Sequence, residues 1–235
     1  MSGTWVLLLL ILISSIPLIA VYVWFRAAKY QFSIARFLFV SLAGAAAFFP
    51  ALFLQEYLAL LQPSGSTALF YYFFVRIALT EELSRLLMLA LFFWISSLKN
   101  PDENSGQPLS YTMVKKGTAT GLVAGLGFAI LESAVYAASD SGVLLLRVFT
   151  AALHGACGSR IGAAAVLFRT NPIQALFRVL TAVAIHGVYN FMVSLPGLPS
   201  IAAVLIAVSA LITAILTIRG GWEPEGIYVF KKATK

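Results

Sequence analysis

A chain of 235 residues with 60% hydrophobic and only 11% charged side chains, and a mean hydropathy of +0.92, is not a water-soluble domain; soluble chains carry about 25% charged residues. The net charge of +7 does not point to nucleic acid, because the basic residues stand in short connections between apolar runs and form no patch interleaved with aromatics. The single cysteine excludes an intrachain disulfide. The composition leaves one class, an all-α polytopic transmembrane helical bundle in a lipid bilayer.

At about 20 residues per crossing, seven apolar segments are expected: 5–25, 37–54, 68–98, 113–138, 143–168, 173–195 and 201–218. No Lys or Arg precedes the first segment, and its apolar run exceeds a signal-peptide core, so it reads as an uncleaved span. Arg26, Lys29 and Arg36 lie between spans one and two, and Glu56 alone between two and three. Lys99, Lys115 and Lys116 flank the next connection, followed by Asp140 with Arg147 just beyond, and then by Arg169 between spans five and six. Span seven is followed by Arg219, Lys231, Lys232 and Lys235. Every second connection is basic, which predicts the N-terminus outside and the C-terminus in the cytoplasm. An odd number of spans agrees. The expected organisation is a single integral membrane domain over 1–235, with a catalytic core at about 68–195 and a cytoplasmic tail at 219–235. The polar loop 100–110 reads as mobile and cytoplasmic, with Pro, Gly and Asn as turn formers.

Span four carries Gly117, Gly121 and Gly125 at four-residue spacing, and span five carries Gly155, Ser159 and Ala163 with Gly158 and Gly162 on an adjoining line. Such stripes let two helix backbones approach closely. Tight packing is the expected role.

The segment Thr80-Glu81-Glu82-Leu83-Ser84-Arg85 is the strongest anomaly, set between apolar runs on both sides. An ionisable group at the centre of a span costs about 2.5–3.5 kcal/mol on insertion scales. Partners are therefore required, and Glu132, His154, His186 and Asn190 each interrupt another apolar run. Arg85 lies four residues after Glu81 and three after Glu82, within reach of either along one helix face. Adjacent glutamates diverge by about 100°, so one can pair with Arg85 while the other faces a cavity. At ~1.5 Å per residue, Glu82 falls near mid-span, with Glu132 roughly 9 Å, His186 roughly 14 Å and His154 roughly 17 Å from the outer ends of their spans. Groups that share a level in this way predict one cavity opening outward.

Carboxylates and imidazoles held together away from water suit hydrolysis. A carboxylate can take a proton from water and return it to a leaving amine, with an imidazole sharing that water. His186 and Asn190, one turn apart, can donate to a developing oxyanion. The same residues, Glu81, Glu82, Glu132, His154 and His186, can hold a divalent metal, zinc being the most plausible, although the two histidines lack HExxH spacing. No metal and a zinc ion both remain open. Cys157, one turn from His154, reads as a small buried residue and not as a nucleophile. Arg160 reads as support for a carboxylate or a backbone carbonyl, Arg76 as an interfacial residue of little weight, and Ser133 as a local helix hydrogen-bonder.

Four stretches in order resemble the PrsW-type intramembrane protease family, related to the CAAX prenyl endopeptidase and bacteriocin-processing superfamily. Glu81-Glu82-Leu83-Ser84-Arg85 is similar to its paired-glutamate motif, and Gly121 to Tyr136, with Phe128 and Glu132 four apart, to its glycine-rich segment. Arg147 through His154 to Gly162 is similar to its single-histidine helix, and His186-Gly187-Val188-Tyr189-Asn190 to its closing motif. The chain departs in having Ser133 where the family commonly has Asn; the CAAX branch has His where Glu132 stands. The resemblance implies an intramembrane protease, glutamate-type or metallopeptidase, that cleaves membrane-anchored proteins such as anti-sigma factors in a prokaryotic inner (plasma) membrane. It carries Glu81, Glu82, Glu132, His154, His186 and Asn190 over as active-site residues, with Arg85 supporting.

Two other readings compete. A proton-coupled transporter also uses intramembrane Glu and His, and predicts polar groups reaching both faces. A non-catalytic membrane adaptor would use the cluster for assembly, and predicts that substituting the glutamates disrupts partner capture and not turnover.

Overall fold

The computed structural model describes residues 3–30, 32–65, 67–99, 111–139, 144–195 and 197–220. The loop 100–110, Asp140, the Arg147 side chain and the tail beyond Gly220 lie outside the described residues. Among the described residues the chain is helical, with no strand. Its elements are α1 (Gly3–Ala27), α2 (Ile34–Ala46), α3 (Phe48–Ala59), α4 (Thr67–Phe70), a π-helical segment (Tyr71–Leu79), α5 (Thr80–Lys99), α6 (Tyr111–Ser139), α7 (Leu144–Leu167), α8 (Pro172–Val193) and α9 (Leu198–Arg219).

Each of the seven apolar segments is helical, but two are not uniform helices. The second breaks at Ala47 into α2 and α3. Pro50 supplies the reason: it has no N–H to offer the carbonyl of Ala46, and its ring crowds that carbonyl. The third is α-helical only at its ends. Its middle winds as a π-helix until Thr80, whose hydroxyl donates to the Arg76 and Ile77 carbonyls at 2.7 and 2.9 Å as the α-helix resumes. Four described stretches are long and apolar enough to cross a bilayer: Ile34–Ala59, Met113–Val135, Pro172–Val193 and Leu198–Arg219.

α6 is the most enclosed of these four; it packs most extensively on α7, then on α2 and α1. The glycine stripes explain how. A Cβ at Gly121 would run into the Gly158 backbone, one at Gly125 into the His154 carbonyl, and one at Gly117 would stand 2.7 Å from the Gly162 carbonyl oxygen. On its other side, α6 meets α2 through Gly44 against Ala124 and Gly127 against Ser41. Backbones in such contact hold their side chains at a fixed height relative to one another. The outward faces of the other helices are apolar and exposed, for example Phe53, Leu87, Ile173, Leu180, Ile201 and Leu205. That surface suits lipid and not water.

Candidate active site

Fourteen residues after its first helical residue, Thr67, the third segment delivers Glu81, Glu82 and Arg85 to the interior, where they are 3%, 0% and 0% exposed. The guanidinium of Arg85 donates from Nη2 to Glu82 Oε1 at 2.6 Å and stands 3.6 Å from Glu81 Oε2. It also lies 4.6 Å over the ring of Phe128 on α6 and donates to the His154 carbonyl at 3.4 Å. A guanidinium only donates hydrogen bonds, so Glu82 Oε1 is an acceptor in this contact.

That fixes the tautomer of His186. Its Nδ1 lies 2.7 Å from the same Glu82 Oε1, so Nδ1 carries the proton and donates. In the neutral ring Nε2 then keeps its lone pair, and it lies 3.7 Å from Glu81 Oε2. His154 repeats the arrangement on α7. Its Nε2 is 2.6 Å from Glu132 Oε2, and its Nδ1 is buried with no hydrogen-bond partner. With Glu132 ionised, Nε2 donates and Nδ1 holds the lone pair. The two imidazole rings stand edge to face with centroids 5.1 Å apart.

Glu81 faces both. Its Oε1 accepts from the Gln55 side-chain amide at 3.1 Å, while its Oε2 is buried and accepts no hydrogen bond. One oxygen of Glu81, one nitrogen of His154 and one of His186 lie within 4.8 Å of one another. Two ligands of a tetrahedral zinc, each about 2.0–2.1 Å from the ion, stand about 3.4 Å apart, near the 3.7 Å between His186 Nε2 and Glu81 Oε2. Metal-ligating histidines characteristically give their second N–H to a carboxylate, as both do here. The donor set therefore fits a divalent ion. Orphaned buried polar atoms point the same way, because buried groups left without partners are rare.

Residues 33–217 match the family model described as PrsW family intramembrane metalloprotease. The chain belongs to that family. It is thus a membrane protease, and the matched span runs from the Ser33 cap of α2 into α9. Among curated proteins and among solved structures, nothing matches the chain.

Five of the six site residues expected from the sequence converge: Glu81, Glu82, Glu132, His154 and His186, with Arg85 among them. Asn190 is half-buried one turn beyond His186 and joins none of the hydrogen bonds of this cluster. Two contributors went unread. Gln55 stands just past the apolar segment 37–54, and only its being a lone amide there could have signalled it. Phe128 reads as core, and its service as the guanidinium's platform has no sequence signal. Arg76 matters more than expected, since its Nε donates to the Gln55 carbonyl at 3.0 Å. Ser133 does not bond locally: its hydroxyl is buried without a hydrogen-bond partner. Cys157 is buried with its thiol 3.5 Å from the Ala182 carbonyl, and Arg160 supports the Ala156 and Ala210 carbonyls.

Proposed function

We propose that this protein hydrolyses peptide bonds of membrane-anchored protein substrates at a centre formed by Glu81, His154 and His186, set toward the outer half of the bilayer. The observation that carries this reading is the pair of imidazoles, each backed by a carboxylate, with lone pairs left for Glu81 Oε2 to complete. Such a centre handles water, not a diffusing proton: a relay would need polar groups continuing to both faces.

Glu81, His154 and His186 would hold the divalent ion that the family description implies. Bound there, such an ion supplies Lewis-acid polarisation of a carbonyl and an activated water. Glu82 keeps His186 in the tautomer with Nε2 open, and Arg85 keeps Glu82 ionised. Glu132 does the same for His154. Gln55 holds Glu81 by one oxygen and leaves the other turned to the centre. In the metal-free alternative Glu81 Oε2 takes the proton of the attacking water and passes it to the leaving amine. Metal content separates these two roles for Glu81. His186, read from the sequence as an oxyanion donor, is assigned here to the centre itself, because its Nδ1 is engaged by Glu82 and its Nε2 faces Glu81. Asn190 is then the amide available to a developing oxyanion.

The resemblance of the four motifs suggests anti-sigma-factor-like regulators as substrates and a prokaryotic plasma membrane as the location. The relation to CAAX endopeptidases rests on motif order alone. The test is cleavage of a single-span substrate by the full-length protein in proteoliposomes. Glu81→Gln is expected to lower the rate by about 10³-fold or more, the scale for losing a group at the reacting atoms. Cleavage at the unmodified rate would end the assignment.

A further inference from the structure

Away from this centre, α6, α7, α8 and α9 enclose a second polar space. It is a cavity of about 270 Å³ whose walls include Thr118, Arg160, Gln174, Phe177, Arg178 and Thr213. Arg160 lies seven residues before the end of α7, and Arg178 six residues after the start of α8. Both therefore sit about 10 Å inside one end of the bundle, the end that carries Lys115, Lys116 and Arg169.

The charges in this space are not balanced. Arg160 donates to the carbonyls of Ala156 and Ala210 and to the Thr213 hydroxyl, at 3.0, 3.4 and 3.0 Å. These neutral acceptors satisfy its N–H groups and leave its charge uncompensated. The Nε of Arg178 is buried and without a hydrogen-bond partner. Among the described residues no carboxylate lines the cavity, and none pairs with either arginine. Two like charges around one cavity repel, and an anion between them removes that cost.

We propose that this cavity binds the phosphate of an anionic phospholipid headgroup. Guanidinium forks match phosphate oxygens in geometry and charge, and basic pockets between helices near a membrane face are suited to such headgroups. The lipid source is favoured by what lies beside the arginines. Phe177 on the cavity wall is 66% exposed, and Ile173, Leu176 and Leu180 continue that exposed apolar face along α8. A headgroup seated at the arginines leaves its acyl chains along this face.

The test titrates the full-length protein in detergent with phosphatidylglycerol, phosphatidylcholine and inorganic phosphate, and reads retained adducts by native mass spectrometry. Phosphatidylglycerol should be retained about tenfold more tightly than the zwitterionic lipid. Arg178→Gln should remove that preference. The double variant Lys116→Gln/Arg169→Gln, which deletes two charges from the same end outside the cavity, should keep it. Should Arg178→Gln fail to fold, Gln174→Leu serves instead and should cut the preference severalfold. Binding of inorganic phosphate with no preference between lipids would assign the same phosphate chemistry to a soluble source. A preference that survives both cavity variants, or equal retention of the two lipids with no phosphate binding, overturns the proposal.

Discussion

Arg85 is the residue on which the centre depends most, and its worth is not that of a surface ion pair. It is wholly buried, touches both glutamates and lies on Phe128. Arg85→Met leaves Glu82 as an uncompensated buried charge, a change that costs about 3–5 kcal/mol. A lower thermal midpoint in detergent should accompany loss of cleavage. Arg85→Lys should not rescue, because a point charge cannot reach both carboxylates and stack on the ring as well. Gln55 offers a finer probe. Gln55→Leu removes the amide that holds Glu81 Oε1, and should lower the cleavage rate by about tenfold, the effect of one lost hydrogen bond to a charged group, with the melting midpoint nearly unchanged. An unaltered rate would detach Gln55 from the chemistry. The carboxylates, imidazoles and Arg85 were legible in the sequence because each is costly in an apolar span and so announces itself. Gln55 and Arg76 were not. An amide or a cation near a span boundary costs little, and nothing in the order of residues says that α3 brings Gln55 against Glu81 and Arg76.

At the level of elements, the site is set by two devices. The α6–α7 crossing places the His154 backbone directly against Gly125, with Gly121 and Gly158 in contact one turn away. Gly121→Val forces a side chain into the Gly158 backbone, and should destabilise by at least about 1–3 kcal/mol, the range for overpacking. Cleavage should be lost even where the protein still folds, because the heights of Glu132 and His154 no longer agree. An unshifted melting midpoint would contradict this role. The stripes were readable from four-residue spacing alone. The second device, the π-helical Tyr71–Leu79, was not: an apolar aromatic run has the same appearance in either winding, and the difference lies in backbone register. Its position just before Glu81 fits the tendency of such segments to occur at functional sites. The break at Ala47 could have been anticipated from Pro50. The segment's unbroken hydropathy masked it.

Across the described part of the molecule, most basic side chains gather at one end. Arg26, Lys29, Tyr30 and Arg36 line a cavity of about 600 Å³ beside the start of α6, where the Tyr30 hydroxyl donates to the Lys115 carbonyl at 3.4 Å. Burial pushes the Tyr30 phenol up to about 12, so it remains a donor through the physiological range. With Lys116 and Arg169 this end is the one the positive-inside rule assigns to the cytoplasm. The native thiol, Cys157, is buried, which makes the assignment easy to check. Introduced as single exposed cysteines in intact cells, Ser64→Cys should react with an impermeant maleimide and Thr170→Cys should not. The opposite pattern inverts the topology. Composition and alternating loop charge speak to class and orientation, and they are silent on how α6 to α9 pack around Arg160 and Arg178, because that depends on contacts between distant segments.

The central claim is that Glu81, His154 and His186, from three different helical segments, share one reacting centre fit for a divalent ion. Metal content measured on active, full-length protein tests it most directly. About one zinc or similar ion per chain is expected, lost together with cleavage in Glu81→Gln, His154→Asn and His186→Asn alike. Full cleavage by protein stripped of metal, or unchanged metal content in all three variants, would contradict the account.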